Sequence, residues 1–361
     1  MSYKNLFETC NITHNIYELE EKMKVRKSMT VSLCVIAYNE EKALVSLLED
    51  IKAQDYPHEK MEIVLVDSMS TDKTAEIMGA FAKESNGFLR VKLEKNPKKI
   101  QAAGWNTAIG AAECDIIIRV DAHASIPETF VSQNVKDIES GEYVVGGQRP
   151  NITDEDTAWT NTLLLAESSM FGSSIAPYRN SQKKTYVKSV FHGAYRREVF
   201  DKAGIFNEKL GRTEDNELHW RIREAGYKIC YDPTIVSHQH VRSTWRSMLK
   251  QKFGNGKWIG LTLGVCPKCM SLYHFVPLAF VLAIMASVLC AVLGWSLPII
   301  LLGCAYGAVD ILMSLMSVRC QKKHPQYLLL PLIFFSLHFA YGVGTLIGLV
   351  KLPFWIKEYN S

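Results

Sequence analysis

The chain has 361 residues, and its 48% hydrophobic and 22% charged residues would suit an ordinary soluble protein if they were evenly distributed. They are not: the first 271 residues contain 36 Lys and Arg and 35 Asp and Glu, whereas the last 90 contain 5 and 2. This division excludes a disordered chain, a collagen and a disulfide-dense secreted module. It predicts a water-soluble part followed by a part that lies in lipid.

Charge and cysteine usage restrict the partners and the compartment. The net charge of +4 divides into +1 for the first part and +3 for the second, so no nucleic-acid-binding surface is predicted. The nine cysteines are an odd number and several lie in apolar runs, which is typical of reduced thiols. Residues 1–29 form a charged N-terminal segment without the apolar core of a secretory signal, so we expect the soluble part to stay in the cytosol.

From residue 30 onward, short apolar runs alternate with segments of helical pattern. Strands are predicted at 30–37, 62–67, 89–93 and 115–121, and helices at 42–54, 73–84 and 99–112. This alternation predicts an α/β fold with a mostly parallel sheet, whose ligands bind at the carboxyl ends of the strands. The polar residues at or just after those ends are Asn39, Glu40, Asp67, Asp72, Asp121 and His123.

These residue types indicate what the sheet edge binds. Neither GxGxxG nor GxxxxGK[ST] occurs, which disfavours a nicotinamide or P-loop nucleotide site. Carboxylates suit the hydroxyl groups of a nucleoside and a divalent cation that neutralises a diphosphate. Asp121 and His123 fit the cation, and the imidazole favours manganese over magnesium. The alternative for this pair is an Asp that opens a turn beside a surface His.

A second carboxylate pair opens a helix further along the chain. Thr213 is predicted as its N-cap, and an apolar stripe follows at Leu218, Ile222 and Ala225. Glu214 and Asp215 then lie in the first turn, where the helix dipole favours an ionised carboxylate that can accept a proton. The alternative is that Thr-Glu-Asp only starts a stable helix.

Residues 240–271 are predicted to form amphipathic segments at the membrane interface, joining a catalytic domain at 30–239 to the apolar region. Lys250, Lys252 and Lys257 are expected either to meet a lipid diphosphate or, as we favour, to hold the domain on anionic lipid.

Three apolar runs then follow, and about 20 residues suffice for a helix to cross a bilayer. They cover residues 272–295, 297–318 and 327–350, before a tail at 351–361. The loop after the second run carries three cations, and cytoplasmic loops attract Lys and Arg. We therefore expect a multi-pass protein of the inner (cell) membrane, with its catalytic domain in the cytoplasm and its tail outside.

The third run leaves an alternative open. If it lay in the interface or re-entered, the tail would remain cytosolic, and Gly342, Gly344 and Gly348 would suit close helix packing. Asp310 interrupts the second run, either as a functional carboxylate or as a hydrogen-bonding partner of a neighbouring helix.

Six segments together resemble the family 2 inverting glycosyltransferases, which have the GT-A nucleotide-sugar fold. They are Val35–Glu41, Val66–Asp72, Asn96–Asn106, Val120–His123, His192–Arg197 and Thr213–Asp215. Their order and spacing make the combination specific, over about residues 30–260. The Asp-Ala-His form and the segment from His192 look most like the subgroup that includes succinoglycan-type exopolysaccharide transferases.

The resemblance implies roles for individual residues. It implies that the nucleotide is bound by Ala37, Tyr38, Glu40, Asp67, Asp72, Asn106 and Asp121. It implies a divalent metal, Mn²⁺ or Mg²⁺, on Asp121 and His123, and Asp215 as the catalytic base. It places near donor and acceptor His192, Gly193, Arg196, Glu214 and Trp258.

The sequence departs from the family pattern in several places. Ala37 replaces a frequent Pro, Ser68 replaces a second Asp, and His123 replaces the last Asp of DxD. Residues 251–258 read QKFGNGKW where processive synthases usually carry QxxRW, which disfavours a polymerising synthase.

The expected function is transfer of a sugar from a nucleotide-sugar, expected to be a UDP-sugar, to a lipid-linked saccharide at the cytosolic membrane face. One base opposite the leaving group implies inversion at the anomeric carbon. Exopolysaccharide or surface-glycan biosynthesis is the implied pathway, with membrane lipids and polysaccharide-assembly proteins as further partners. The alternatives are a transferase acting on polyprenyl phosphate itself and an inactive membrane scaffold of a polysaccharide assembly complex.

Overall fold

A computed structural model describes residues 29–84, 87–172, 181–322 and 324–360. The charged segment predicted at 1–29 lies, apart from Met29, outside the described residues.

Eight strands of the described chain form one sheet, and three short strands form a second. In chain order the strands are β1 (Val31–Ala37), β2 (Met61–Asp67), β3 (Arg90–Lys95), β4 (Ile116–Asp121), β5 (Ala124–Ser125), β6 (Val144–Gln148), β7 (Asn151–Ile152), β8 (Thr185–Val187), β9 (Ala194–Arg196), β10 (Ile229–Val236) and β11 (His238–His240). The large sheet has the order β3-β2-β1-β4-β9-β6-β10-β8, and the small one β5-β11-β7. In the large sheet only β8 and β9 are antiparallel to their neighbours. The predicted mostly parallel α/β sheet is confirmed.

The helices of the described chain divide between this sheet and the C-terminal region. They are α1 (Ala43–Lys52), α2 (Thr74–Lys83), α3 (Gln101–Ala111), α4 (Phe130–Glu139), α5 (Ala158–Ser168), α6 (Glu198–Ala203), α7 (Glu214–Glu224), α8 (Trp245–Thr262), α9 (Val276–Val292), α10 (Leu297–Val318) and α11 (Leu330–Asn360). The four strands and three helices predicted between residues 30 and 121 are confirmed to within two residues at each end.

Helices cover both faces of the large sheet. Six of the seven residues of β1 are buried, as expected for a central parallel strand. Leu47 and Phe81 pack on one face, and Trp105 and Leu218 pack on the other. Because each such side chain contributes roughly 1.5–3 kcal/mol when it is fully buried, these two layers fix the positions of the strand ends.

Three helices of the described chain, beginning at Leu272, Leu297 and Pro325 when short 3₁₀ turns are included, are long and apolar enough to cross a membrane. The third does not end where the sequence suggested. It continues to Asn360, so the segment predicted as a tail at 351–361 is helical through residue 360.

In the predicted interfacial linker, only the expectation for Lys252 is wrong. The linker contains one regular helix, α8, which packs along α11. Lys252 is buried and its Nζ lies 2.7 Å from Glu167 of α5, so it binds protein rather than lipid. A buried cation requires such a partner because desolvation without one is costly.

Glycines allow α8 and α11 to approach at backbone distance. A Cβ added to Gly260 would lie 2.6 Å from the Thr345 carbonyl oxygen. One added to Gly348 would overlap the Lys257 carbonyl oxygen, and one on Gly344 would overlap that of Phe253. The close packing predicted for the third run's glycines is therefore confirmed, with α8 as the partner of Gly344 and Gly348 and α9 as the partner of Gly342.

We expect Gly348→Ala to destabilise the protein by roughly 1–3 kcal/mol, because the added methyl group overpacks a backbone contact. Gly307→Ala on α10 is the matched control, since nothing lies within 4 Å of a Cβ there. Thermal unfolding of each purified variant in detergent measures the change in stability. Equal melting temperatures for the two variants would contradict the close contact.

Candidate active site

The parallel register brings three strand ends together at one edge of the sheet. Ala37 pairs with Asp67 across β1 and β2, and Ile36 pairs with Asp121 across β1 and β4. The predicted residues at the ends of the first, second and fourth strands are therefore neighbours in space.

Hydrogen bonds tie the loops that follow β1 and β2 to each other. The Asn39 N–H donates to Ser70 Oγ at 3.0 Å, and the Thr71 N–H donates to Asn39 Oδ1 at 2.8 Å. Asn39 and Met69 have positive φ angles of 55° and 61°. Such backbone is uncommon outside glycine, and here it turns both loops away from their strands.

Three groups at this edge remain available to a ligand. The Tyr38 ring is 50% exposed and can stack on a planar base. Asp67 accepts through Oδ1 from the Ser70 N–H at 3.0 Å, and its second oxygen remains an acceptor. Glu40 lies beside them with its Oε1 3.3 Å from Nδ1 of His123.

Asp72 has a different role in the loops. Its carboxylate accepts from the backbone N–H groups of Thr74, at 3.0 Å, and Glu41, at 3.2 Å. It therefore shapes the site, and the structure does not bring its oxygens to the edge as free acceptors.

Asp121 is buried and lies next to His192, which is two residues before the start of β9. The Asp121 N–H lies 3.3 Å from His192 Nε2, and His192 Nδ1 lies 2.8 Å from Ser237 Oγ. Burial lowers the pKa of His192 and keeps it neutral.

Asp121 is ionised despite its burial. Burial alone would raise its pKa, but His192, the His123 imidazole and the Arg119 guanidinium outweigh that effect and hold the pKa well below its usual value. Burial likewise would lower the pKa of His123, but Glu40 and Asp121 raise it.

The donor set at Asp121 and His123 fits a divalent ion only in part. One carboxylate and one imidazole point to a manganese-type ion. Among the described residues there is no cluster of three or more His, Cys, Asp or Glu with metal-site geometry. An ion held by these two residues would need phosphate oxygens and water as its other ligands, as is common for cations bound together with a nucleotide.

Asp215 is held by a buried arginine that the sequence analysis did not select. Arg119 Nη1 donates to Asp215 Oδ1 at 2.7 Å. The guanidinium carbon lies 4.3 Å from the Trp105 ring and 4.5 Å from the Phe206 ring, between the two. Arg119 also precedes Asp121 by two residues on β4, so the same strand carries the arginine and the carboxylate of the metal pair.

The residue before this helix differs from its prediction. Thr213 occupies the N-cap position of α7, but its side chain does not cap the helix, and its φ of 77° is in the left-handed region. Its Oγ1 instead lies 2.7 Å from Thr262 Oγ1 of α8. A β-branched residue in this conformation is strained, and such strain is held in place only by surrounding contacts.

Residues 32–204 match the sequence profile described as Glycosyl transferase family 2. The chain carries a family 2 glycosyltransferase domain.

Two relatives extend this result beyond the profile. The chain is 26% identical over 328 residues to the Methanococcus voltae dolichyl N-acetyl-alpha-D-glucosaminyl phosphate 3-beta-D-2,3-diacetamido-2,3-dideoxy-beta-D-glucuronosyltransferase, covering 89% of this chain and 97% of that protein. It is 29% identical over 234 residues to succinoglycan biosynthesis protein ExoA of Rhizobium meliloti, covering 63% and 68%.

A solved structure shares the fold of this chain. The mannosyltransferase PcManGT from Pyrobaculum calidifontis, solved with GDP-Man and Mn²⁺, superposes with a TM-score of 0.61. It is 21% identical and the match covers 88% of this chain and 87% of that one. The α/β domain is therefore GT-A-like.

Arg196, which the resemblance placed in the site, lies elsewhere. Arg196 pairs with Ile116 at the opposite end of β4, because β9 runs antiparallel and leads away from His192. Its guanidinium donates to the carbonyls of Ile138 and Glu142. Only His192 and Gly193, whose carbonyl accepts from the Arg119 N–H at 3.0 Å, lie at the ligand edge.

Asn106 was expected at the nucleotide and instead fastens a loop. Its Nδ2 donates to Phe206 O and to Glu208 Oε1, both at 2.9 Å, and its Oδ1 accepts from the Phe206 N–H at 2.8 Å. Because its donors and an acceptor lone pair are engaged, it positions Phe206 over Arg119.

Trp258 supports the loop before Asp215. It packs against Gly211, where a Cβ would overlap the indole, and it meets Trp355 edge-on with ring centroids 5.8 Å apart.

Glu214 differs from Asp215 although the two are adjacent. It is 4% exposed, and burial, followed by the charge of Asp215, raises its pKa to about 8. Between its ordinary pKa of 4.5 and about 8, the folded state therefore binds one more proton than the unfolded state. Stability from this group falls as the pH rises through that window.

We expect Glu214→Gln to flatten this pH dependence, since the amide does not titrate. Between pH 5 and pH 8, the melting temperature of Glu214→Gln should fall less than that of the wild type. The melting temperature of Glu224→Gln, an exposed control on the same helix, should fall as much as that of the wild type. Identical slopes for wild type and Glu214→Gln would mean that Glu214 is ionised in the folded protein.

Proposed function

We propose that the protein is a membrane-anchored inverting glycosyltransferase, which transfers a sugar from a nucleotide-sugar to a lipid-linked saccharide at the cytosolic membrane face. The observation that carries the proposal is the chain of contacts from Asp121 through β4 to Arg119 and from Arg119 to Asp215. It couples the expected metal ligand to the expected base.

The donor would bind at the edge formed by β1, β2 and β4. Tyr38 would stack on the base, and Asp67 and Glu40 would accept hydrogen bonds from nucleoside hydroxyl groups. A divalent ion on Asp121 and His123 would neutralise the diphosphate leaving group. We expect a UDP-sugar, and the relatives leave the base open, because PcManGT was solved with GDP-Man.

Asp215 is proposed as the base that accepts the proton of the attacking hydroxyl. Arg119 fixes its carboxylate at 2.7 Å and leaves its second oxygen for the acceptor. Attack from this side, opposite the diphosphate, is an in-line displacement that inverts the anomeric carbon. An α-linked donor would therefore give a β-linked product.

The acceptor is proposed to be lipid-linked. The apolar C-terminal helices would keep the site beside the membrane, and the Methanococcus voltae relative, by its name, acts on a dolichyl-phosphate-linked sugar. The similarity to ExoA supports a pathway of exopolysaccharide or other surface-glycan biosynthesis.

Nucleotide release from UDP-, GDP- and dTDP-sugars by the purified chain in detergent tests the proposal. We expect one donor to be turned over with a divalent metal, and Asp215→Asn to lower the rate about 10²–10⁴-fold. Asp201→Asn, an exposed carboxylate on α6, is the control and should keep the wild-type rate.

Other outcomes are equally informative. Transfer to polyprenyl phosphate without a pre-existing sugar would show that the acceptor is the lipid phosphate itself. If no donor is turned over and no nucleoside diphosphate binds in calorimetry, the proposed transferase is contradicted. That result would favour the inactive membrane scaffold.

A second prediction concerns the metal. We expect His123→Asp to lower the preference for Mn²⁺ over Mg²⁺, since a carboxylate replaces an imidazole. Calorimetric binding of the nucleoside diphosphate with each metal measures the preference independently of turnover, and binding without metal serves as the control. An unchanged Mn²⁺ to Mg²⁺ ratio would remove His123 from the ligand set.

A further inference from the structure

Helix α11 follows α8 in parallel over most of the length of α8. At the start, Trp245 Nε1 donates to Ser336 Oγ at 2.9 Å. In the middle, Gly260 meets the backbone at Thr345, and at the end a Cβ on Gly264 would lie 2.6 Å from Leu352 Cδ1. Residues 336–352 of α11 therefore lie at the same depth in any membrane as the residues of α8 that they contact.

Helix α8 cannot lie in the hydrocarbon core. It carries Arg246, Lys250, Lys252 and Lys257 and no acidic residue, and each cation costs about 2.5–3.5 kcal/mol at the centre of a bilayer. It is also bonded to the loop before the proposed base, through Thr262 to Thr213. Helix α8 is thus part of the catalytic domain, and it holds α11 there.

Both ends of α11 contact the catalytic domain. At its start, Leu330 and Phe334 pack in one cluster with Leu163 of α5. At its end, Asn207 Nδ2 donates to the Tyr359 hydroxyl at 2.7 Å. A helix of 31 residues is about 46 Å long at 1.5 Å per residue and could span a core of about 30 Å. It cannot do so while both ends touch one soluble domain.

The face of α11 that points away from the domain is apolar. The exposed large side chains of this face follow one another at intervals of 4, 3, 4, 11 and 4 residues, which places them on one side of the helix: Leu328, in the preceding turn, then Leu332, Phe335, Phe339, Val350 and Phe354. The buried residues Ile333, Leu337, Gly344 and Gly348 lie on the opposite side of the helix. A protein in water would not expose such a stripe without a partner.

We propose that α11 lies in the interface of the leaflet next to the catalytic domain, with this stripe in lipid, and that the chain crosses the bilayer only twice, through α9 and α10. The occupant of the stripe is the lipid leaflet, because the stripe adjoins the apolar pair α9 and α10, which packs on the same helix. The proposal rests on the proposed function only for the presence of a membrane.

Protease access to a tag fused after residue 361 tests the side of the C-terminus. In sealed inverted vesicles, in which the catalytic domain faces outward, we expect cleavage of this tag, whereas a tag inserted at residues 294–296, between α9 and α10, should be protected. Protection of the C-terminal tag in those vesicles, with cleavage only from the other side, would overturn the proposal.

Depth measurement separates an interfacial helix from a re-entrant one. Nitroxide labels would be placed by Leu332→Cys, Phe339→Cys and Phe354→Cys in a full chain whose exposed Cys304 and Cys320 are serine. We expect three similar shallow depths from collision quenching in lipid nanodiscs. A label at position 339 that lies much deeper than those at 332 and 354, or a label depth that changes steadily from 332 to 354, would contradict the interfacial helix. Neither readout depends on turnover, so a failed transferase assay would leave this result intact.

Discussion

The arrangement of the site depends on one buried charge. Arg119 lies in the centre of the sheet, 2% exposed, where an unpaired guanidinium would be strongly unfavourable. Asp215 supplies its counter-charge, and the rings of Trp105 and Phe206 cover its two faces. Removing one partner of such a pair typically costs about 3–5 kcal/mol. The position of α7 relative to β4 is therefore set by electrostatics as much as by packing.

The contacts of Arg119 explain residues that do not reach the ligand edge. Asn106 holds the loop that carries Phe206, and Trp258 packs under Gly211 just before Thr213. Thr213 remains in its left-handed conformation because α8 holds its hydroxyl. These residues position the proposed base, and they connect it to helix α8.

Helix α8 joins two environments. One side contacts the loop before α7. Arg212 of the loop donates to Asn255 of α8 at 2.7 Å, and Thr213 is hydrogen-bonded to Thr262 of α8. The other side meets α11 through glycines at backbone distance. In the proposed arrangement, the loop before the proposed base would thus be linked through α8 to α11, the helix that would lie in lipid. This arrangement is a physical reason for a transferase of this kind to keep its catalytic domain on the membrane.

The sequence by itself determined the α/β fold, the strand ends with Asp67 and Asp121, and the charge-poor C-terminal region. These follow from local periodicity and from composition, which need no knowledge of distant residues. Only the tertiary structure decided that Arg196 points away, that Asn106 fastens a loop and that Arg119 pairs with Asp215, since these depend on strand direction and on contacts across about 100 residues. A lone Arg in the apolar run Ile-Ile-Ile-Arg-Val-Asp was the available signal for the last. Hydropathy likewise could not show that α11 follows α8, because a lipid-facing stripe and a membrane span have the same composition, and only the partner helix distinguishes them.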